Sequence, residues 1–141
     1  MQAHMMLADS AQVVSGKLYI LGGGWNVCSG AVSMAVTIRL SHDPGEVGRE
    51  RHWALFLEDA DGKLVLLEGL NGPLPIEVHG DLFVEADPQA VAGVSVEVPL
   101  AVNFPALPLP AGHRLVWRLT IDGETPAGGT VAFSTRAVVS A

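Results

Sequence analysis

Charged side chains, cysteines and long apolar runs are scarce in this 141-residue chain. It has 8 Lys and Arg and 15 Asp and Glu, which gives a net charge of −7. This charge argues against a nucleic-acid partner, because binding to phosphates requires clustered basic residues. The single cysteine, Cys28, excludes an intramolecular disulfide, so we expect a small buried thiol in a cytoplasmic protein. No apolar run approaches the roughly 20 residues of a membrane span, so we expect no membrane partner.

Patterns typical of catalytic or metal sites are also missing. The chain has five histidines, which show no spacing typical of a zinc site: His4, His42, His52, His79 and His113. No serine lies in a nucleophile-elbow motif. Acidic loop residues at 42–46 and 58–62 are explained by turn formation. We therefore predict a protein that is not an enzyme and that has no catalytic residues, no cofactor and no metal.

The sequence does contain a hydrophobic period of two. In 33–40 (SMAVTIRL) every second residue from Met34 to Leu40 is apolar, and the same alternation recurs at 52–59, 94–98 and 113–121. The 16 glycines and 9 prolines supply frequent turns. We predict an all-β chain that forms a single antiparallel β-sandwich of about eight or nine strands over residues 1–141. Trp53 and Trp117 share the parity of the core positions, and the prolines in 99–110 indicate an edge strand or a crossing between sheets.

The stretch 16–30 (GKLYILGGGWNVCSG) contains a cluster of glycines that is compatible with either a ligand loop or a bend. A phosphate-binding loop would continue into a helix, usually through Lys and Ser or Thr, whereas here the pattern after the glycines is again that of a strand. We favour a bend that carries the chain from one sheet to the other. The candidate bend or ligand site comprises Gly22, Gly23, Gly24, Trp25 and Asn26, and Trp25 is the one tryptophan left as a candidate for an exposed aromatic.

Two segments carry a resemblance to a known family. Residues 7–25 (LADSAQVVSGKLYILGGGW) resemble the opening of an uncharacterised family of short bacterial proteins, a domain of unknown function, which pairs an AD-AQ segment with a GKL-ILGG strand. Residues 109–124 (LPAGHRLVWRLTIDGE) are similar to its closing hairpin. Asn26 departs from the family pattern, which often has an acidic residue there. The resemblance implies a compact β-sandwich and brings no known activity.

The apolar content predicts self-association. Mean hydropathy is +0.36 while 16% of residues are charged, so apolar side chains exceed what one core can cover. By alternation, the surplus lies at Phe56, Leu64, Leu66 and Val116, which we predict as an interface. We expect an interaction or assembly module, most simply a twofold homodimer, with another protein as a further partner. The alternative is a small-ligand module that binds sugar or calcium at the bend and the acidic loops.

Overall fold

The computed structural model describes residues 1–138 and confirms the all-β prediction. Its eleven strands, counted over these residues, are β1 (Gln2–Val14), β2 (Lys17–Gly23), β3 (Val27–Cys28), β4 (Val32–His42), β5 (Glu50–Asp59), β6 (Leu66–Gly69), β7 (Gly72–Pro75), β8 (Glu77–Phe83), β9 (Val96–Leu107), β10 (Arg114–Ile121) and β11 (Thr130–Thr135). A 3-10 turn, Pro44–Glu46, follows β4. The count exceeds the predicted eight or nine. The three additional strands, β3, β6 and β7, are only two to four residues long, too short to show an alternating pattern in the sequence.

The strands form two main sheets. One has the order β2-β1-β4-β9, the other has the order β3-β11-β10-β5-β8, and β6 pairs with β7 alone. Neighbouring strands are antiparallel except for β3, which runs parallel to β11. The proline-containing segment supplies β9, an edge strand that includes Pro99 and Pro105. Proline is tolerated in an edge strand because its missing N–H is not needed on the side where no further strand pairs.

The core lies between the inward faces of the two sheets. Val36 and Ile38 of β4 join Leu55 and Leu57 of β5 in one cluster, as their alternation predicts. Trp117 of β10 is fully buried, and its ring stacks on Phe104 of β9 with centroids 4.6 Å apart. The stacking therefore joins β10 of one sheet to β9 of the other.

Trp53 is only partly buried. It packs against the same core, as its parity predicts, and is paired with Ile121 of β10 and Gly80 of β8. Its ring covers Gly80 on the neighbouring strand β8, where a Cβ would come within 2.5 Å of the indole. The absence of a side chain at Gly80 therefore leaves room for the Trp53 ring.

Candidate functional site

The glycine cluster lies where the chain leaves one sheet for the other. β2 ends at Gly23 in the four-stranded sheet, and β3 begins at Val27 in the five-stranded sheet. Gly22 and Gly24 have φ angles of 64° and 91°, a region that favours glycine. A Cβ on Gly22 would collide with the Asp9 carboxylate, and one on Gly23 would lie 2.7 Å from Ile20 Cγ2. The space above both residues is therefore filled by side chains of the same hairpin.

Trp25, the candidate for an exposed aromatic, is not an exposed side chain. Its side chain is half-buried and packs against the main core, and its indole N–H has no partner among residues 1–138. Asn26 is exposed, and its backbone carbonyl accepts a 2.8 Å hydrogen bond from Ser134 of β11. This hydrogen bond joins the crossing segment to the five-stranded sheet.

The β1–β2 hairpin presents an apolar edge. Its turn, Ser15 and Gly16, has φ angles of 51° and 72°, which is typical of a two-residue type I′ turn. β2 forms the outer edge of its sheet, and Tyr19 and Leu21 are 52% and 70% exposed. The strand between Lys17 and Gly22 reads Leu-Tyr-Ile-Leu, without proline or charge.

This hairpin also folds over the outer face of its own sheet. Beyond Ala8, β1 no longer pairs with β4. The side chain of Asn103 in β9 instead forms hydrogen bonds with the backbone of β1 at Ala11. The Asn103 side chain accepts from the Ala11 N–H at 3.2 Å and donates to the Ala11 carbonyl at 2.8 Å. Ala8 and Ala11 of the hairpin are buried against Ala35 of β4, and Leu18 of β2 packs on the same cluster. The small alanines let the two layers approach closely.

The four predicted interface residues occupy two regions. Phe56 and Val116 lie on the outer face of the five-stranded sheet and are half-buried. Phe56 is partly covered within the chain, because the Arg118 guanidinium lies 5.1 Å from its ring centre and the His79 ring is perpendicular to it with centroids 5.8 Å apart. Leu64 and Leu66 are 40% and 54% exposed, beside and within β6.

Two histidines whose sequence spacing indicates no metal site, His52 and His79, lie side by side on this outer face. His52 of β5 and His79 of β8 place Nε2 and Nδ1 3.0 Å apart. Asp81 lies 3.0 Å from His52 Nδ1, and Glu77 lies 3.6 Å from His79 Nε2. The outward parity of both strands is readable from the sequence, but their register, which sets Ala54 opposite His79, is not.

A third histidine, His42, lies buried at one end of the sandwich. It is 1% exposed, and neither ring nitrogen has a partner within the described residues. Burial lowers the pKa of His42 and the Arg51 guanidinium lowers it further, while the Glu46 carboxylate and the backbone of Val96 favour the protonated ring. Arg51 is itself buried and donates to the Glu46 carbonyl at 3.1 Å and to Asp122 at 3.4 Å.

The acidic loops use their carboxylates to hold turns. Asp59 Oδ1 accepts from the N–H groups of Asp61 and Lys63 at 2.9 and 3.0 Å, and Glu46 accepts from Asp43 N–H at 2.9 Å. Within residues 1–138, no group of three or more His, Cys, Asp or Glu side chains is arranged to hold a metal ion. The same part of the chain contains no helix of the length and apolarity that a membrane span requires.

Comparison with known proteins identifies one family. The model of a family of unknown function (DUF6941) matches residues 3–130. No curated protein and no solved structure matches the chain. Because the match covers most of the sequence, the chain belongs to this family.

Proposed function

We propose that this member of the DUF6941 family is a non-enzymatic assembly module that forms a twofold dimer through the open edge of β2. The observation that carries the proposal is the exposed apolar strand at that edge, with Tyr19 and Leu21 in solvent. A long, uncharged edge strand is a template for pairing with another chain. We further propose that the dimer functions in the cytoplasm, because the chain has a single cysteine and so does not use the intramolecular disulfides common in oxidising compartments.

Backbone geometry supports pairing at this edge. In a hairpin with a two-residue turn, the residues flanking the turn form a hydrogen-bonded pair, and the pairs then alternate along the ladder. Val14 and Lys17 flank the turn, so Leu18 and Ile20 direct their N–H and C=O groups away from β1 toward the open edge. The same alternation directs the Ala11 groups to the opposite side, where Asn103 binds them. Leu18 and Ile20 are thus oriented to pair with a further strand.

The other edge strands of the two main sheets carry features that oppose pairing. β9 contains Pro99 and Pro105, β3 has only two residues, and β8 carries the charged Glu77 and Asp81. Prolines, short length and charges are the usual protections of a sheet edge. β2 has none of these between Lys17 and its terminal glycines. A second copy is the simplest partner because antiparallel β2–β2 pairing is self-complementary about a twofold axis.

The test is the molar mass in solution, measured by light scattering coupled to size exclusion at tens of micromolar. The wild type is expected at twice the monomer mass of 14.8 kDa. Leu21→Lys places a charge on the exposed edge strand, which is a protection that natural edge strands use, and is expected to give a monomer. Leu70→Lys is the matched control, because Leu70 is fully exposed at the β6–β7 turn and the substitution changes charge and size identically.

A monomeric wild type would overturn the proposal. So would a dimer that Leu21→Lys leaves intact. If Leu70→Lys dissociated the dimer while Leu21→Lys did not, the interface would lie at the β6–β7 hairpin near the predicted Leu64 and Leu66. Circular dichroism of each variant would establish that the sandwich is retained before its mass is interpreted.

A further inference from the structure

We propose that His52 and His79 form a binding site for a divalent transition-metal ion of the zinc and copper type, on the outer face of the five-stranded sheet. The site is independent of the β2 edge, because it lies on the other sheet. Its central feature is the 3.0 Å separation of His52 Nε2 and His79 Nδ1. Two nitrogens bound to one tetrahedral ion at 2.0–2.1 Å are about 3.3 Å apart. The two inner nitrogens point at one another as a hydrogen-bonded pair, so each ring must rotate by roughly 35° for both lone pairs to meet one ion.

The surroundings of the two rings favour a metal. In protein metal sites, a ligating histidine usually directs its other ring nitrogen at a carboxylate, which fixes the ring and increases its basicity. Asp81 takes this position for His52 at 3.0 Å, and Glu77 takes it for His79 at 3.6 Å. The two inner nitrogens thus face one another while both outer nitrogens face negative charge. Each carboxylate contacts the outer nitrogen of one ring and not the inner nitrogens. In the proposed site the ligands to the ion are therefore the two imidazoles, and the carboxylates orient them.

The rings are also reachable from solvent. The imidazoles lie 25° from parallel with centroids 5.2 Å apart, and the Phe56 ring is perpendicular to that of His79. The side chains of His52 and His79 are 50% and 46% exposed, which leaves solvent access to the ion. Two protein ligands leave two tetrahedral positions for water. Imidazole ligation suits Zn²⁺ and Cu²⁺ and is poorly matched to Mg²⁺ or Ca²⁺, which prefer oxygen.

The experiment titrates the metal-free full-length chain with Zn²⁺ by calorimetry and with Cu²⁺ by electron paramagnetic resonance. We expect one ion per chain and, for Cu²⁺, hyperfine coupling to two imidazole nitrogens. His52→Gln and His79→Gln should each weaken binding at least about tenfold, because one of two ligands is lost. Asp81→Ala should weaken binding by about 10-fold to 100-fold with the stoichiometry retained, since Asp81 positions a ligand without contacting the ion.

His113→Gln is the matched control. His113 is exposed near the start of β10, and its Nδ1 lies 2.8 Å from the Ala111 carbonyl, so it is a surface histidine outside the pair. This variant should bind as the wild type does. The proposal fails if no ion binds at one per chain, if His52→Gln and His79→Gln bind unchanged, or if His113→Gln loses binding equally. Measuring mass in the same samples separates this result from the dimer, because metal binding and association use different sheets.

Discussion

His42 shows what one unpartnered residue does to the pH dependence of stability. The ring is buried, and burial lowers its pKa below the ordinary value of 6.5. Below about pH 6.5 the unfolded chain therefore binds a proton that the folded protein takes up less readily, so the free energy of unfolding decreases as pH falls. The contribution is complete above pH 6.5 and is progressively lost as pH falls toward the lowered pKa.

We predict that His42→Leu flattens this dependence. Leucine removes two unpartnered nitrogens and cannot titrate, so the variant should lose less stability than the wild type between pH 7 and pH 5. Urea unfolding at several pH values measures the difference. His42→Gln separates the causes, because it also cannot titrate but keeps a buried polar group. Its free energy of unfolding should be about 1–3 kcal/mol lower than that of His42→Leu. The free energies of unfolding of both variants should depend equally little on pH. Equal slopes for the wild type and His42→Leu would contradict the prediction.

Individual residues also show how far sequence reasoning reaches. Alternation correctly placed Trp117 inside, because parity along a strand depends only on neighbours in the chain. It could not show that Trp25 packs against the core, since Trp25 lies outside any strand. Nor could it pair His52 with His79, which are 27 residues apart and meet only through the β5–β8 register.

Among the elements, the β1–β2 hairpin depends on a single side chain for part of its attachment. Asn103 satisfies both backbone groups of Ala11, which is 8% exposed. We predict that Asn103→Ala destabilises the protein by about 1–3 kcal/mol, because a buried N–H and C=O lose their partner. Asn103→Asp should cost at least as much, since it keeps an acceptor for the N–H but directs an anionic oxygen at the Ala11 carbonyl.

Urea unfolding gives the stability, and hydrogen exchange at the Ala11 amide locates the change. The Ala11 amide should exchange faster in Asn103→Ala and less so in Asn103→Asp. Unaltered protection of that amide in Asn103→Ala would show that the hairpin is held by its apolar contacts alone. Because the hairpin supplies the β2 edge, Asn103→Ala should also weaken dimerisation under the proposed function.

Elements with strict alternation were predictable and those shaped by tertiary contacts were not. β4, β5 and β10 follow the apolar pattern closely because each buries one face in the core. The fold of the β1–β2 hairpin over its own sheet depends on a contact between residues 92 apart in sequence, which no local pattern encodes. The short β3 and the β6–β7 pair add strands beyond the predicted eight or nine for the same reason: their pairing is set by where neighbouring segments lie.

For the whole molecule, the net charge gives the proposed dimer a characteristic salt dependence. Each chain carries −7, so two chains bring together −7 and −7, a total of −14. At about 0.01 M salt these charges repel over roughly 30 Å, whereas at about 0.1 M the screening length falls to roughly 10 Å. Backbone hydrogen bonds and apolar contacts between β2 strands carry no net charge and are weakened little by screening. Added salt should therefore tighten the dimer.

We predict that the dimer dissociation constant falls severalfold between about 0.01 M and 0.5 M NaCl, measured by sedimentation equilibrium. An interface held by ion pairs would respond in the opposite direction, because screening removes the attraction between its partners. Leu21→Lys is the informative control. It changes the net charge of each chain from −7 to −6, which reduces the general repulsion between chains. It should nevertheless stay monomeric at every salt concentration. A dimer that dissociates as salt is added would place the interface away from the uncharged β2 edge.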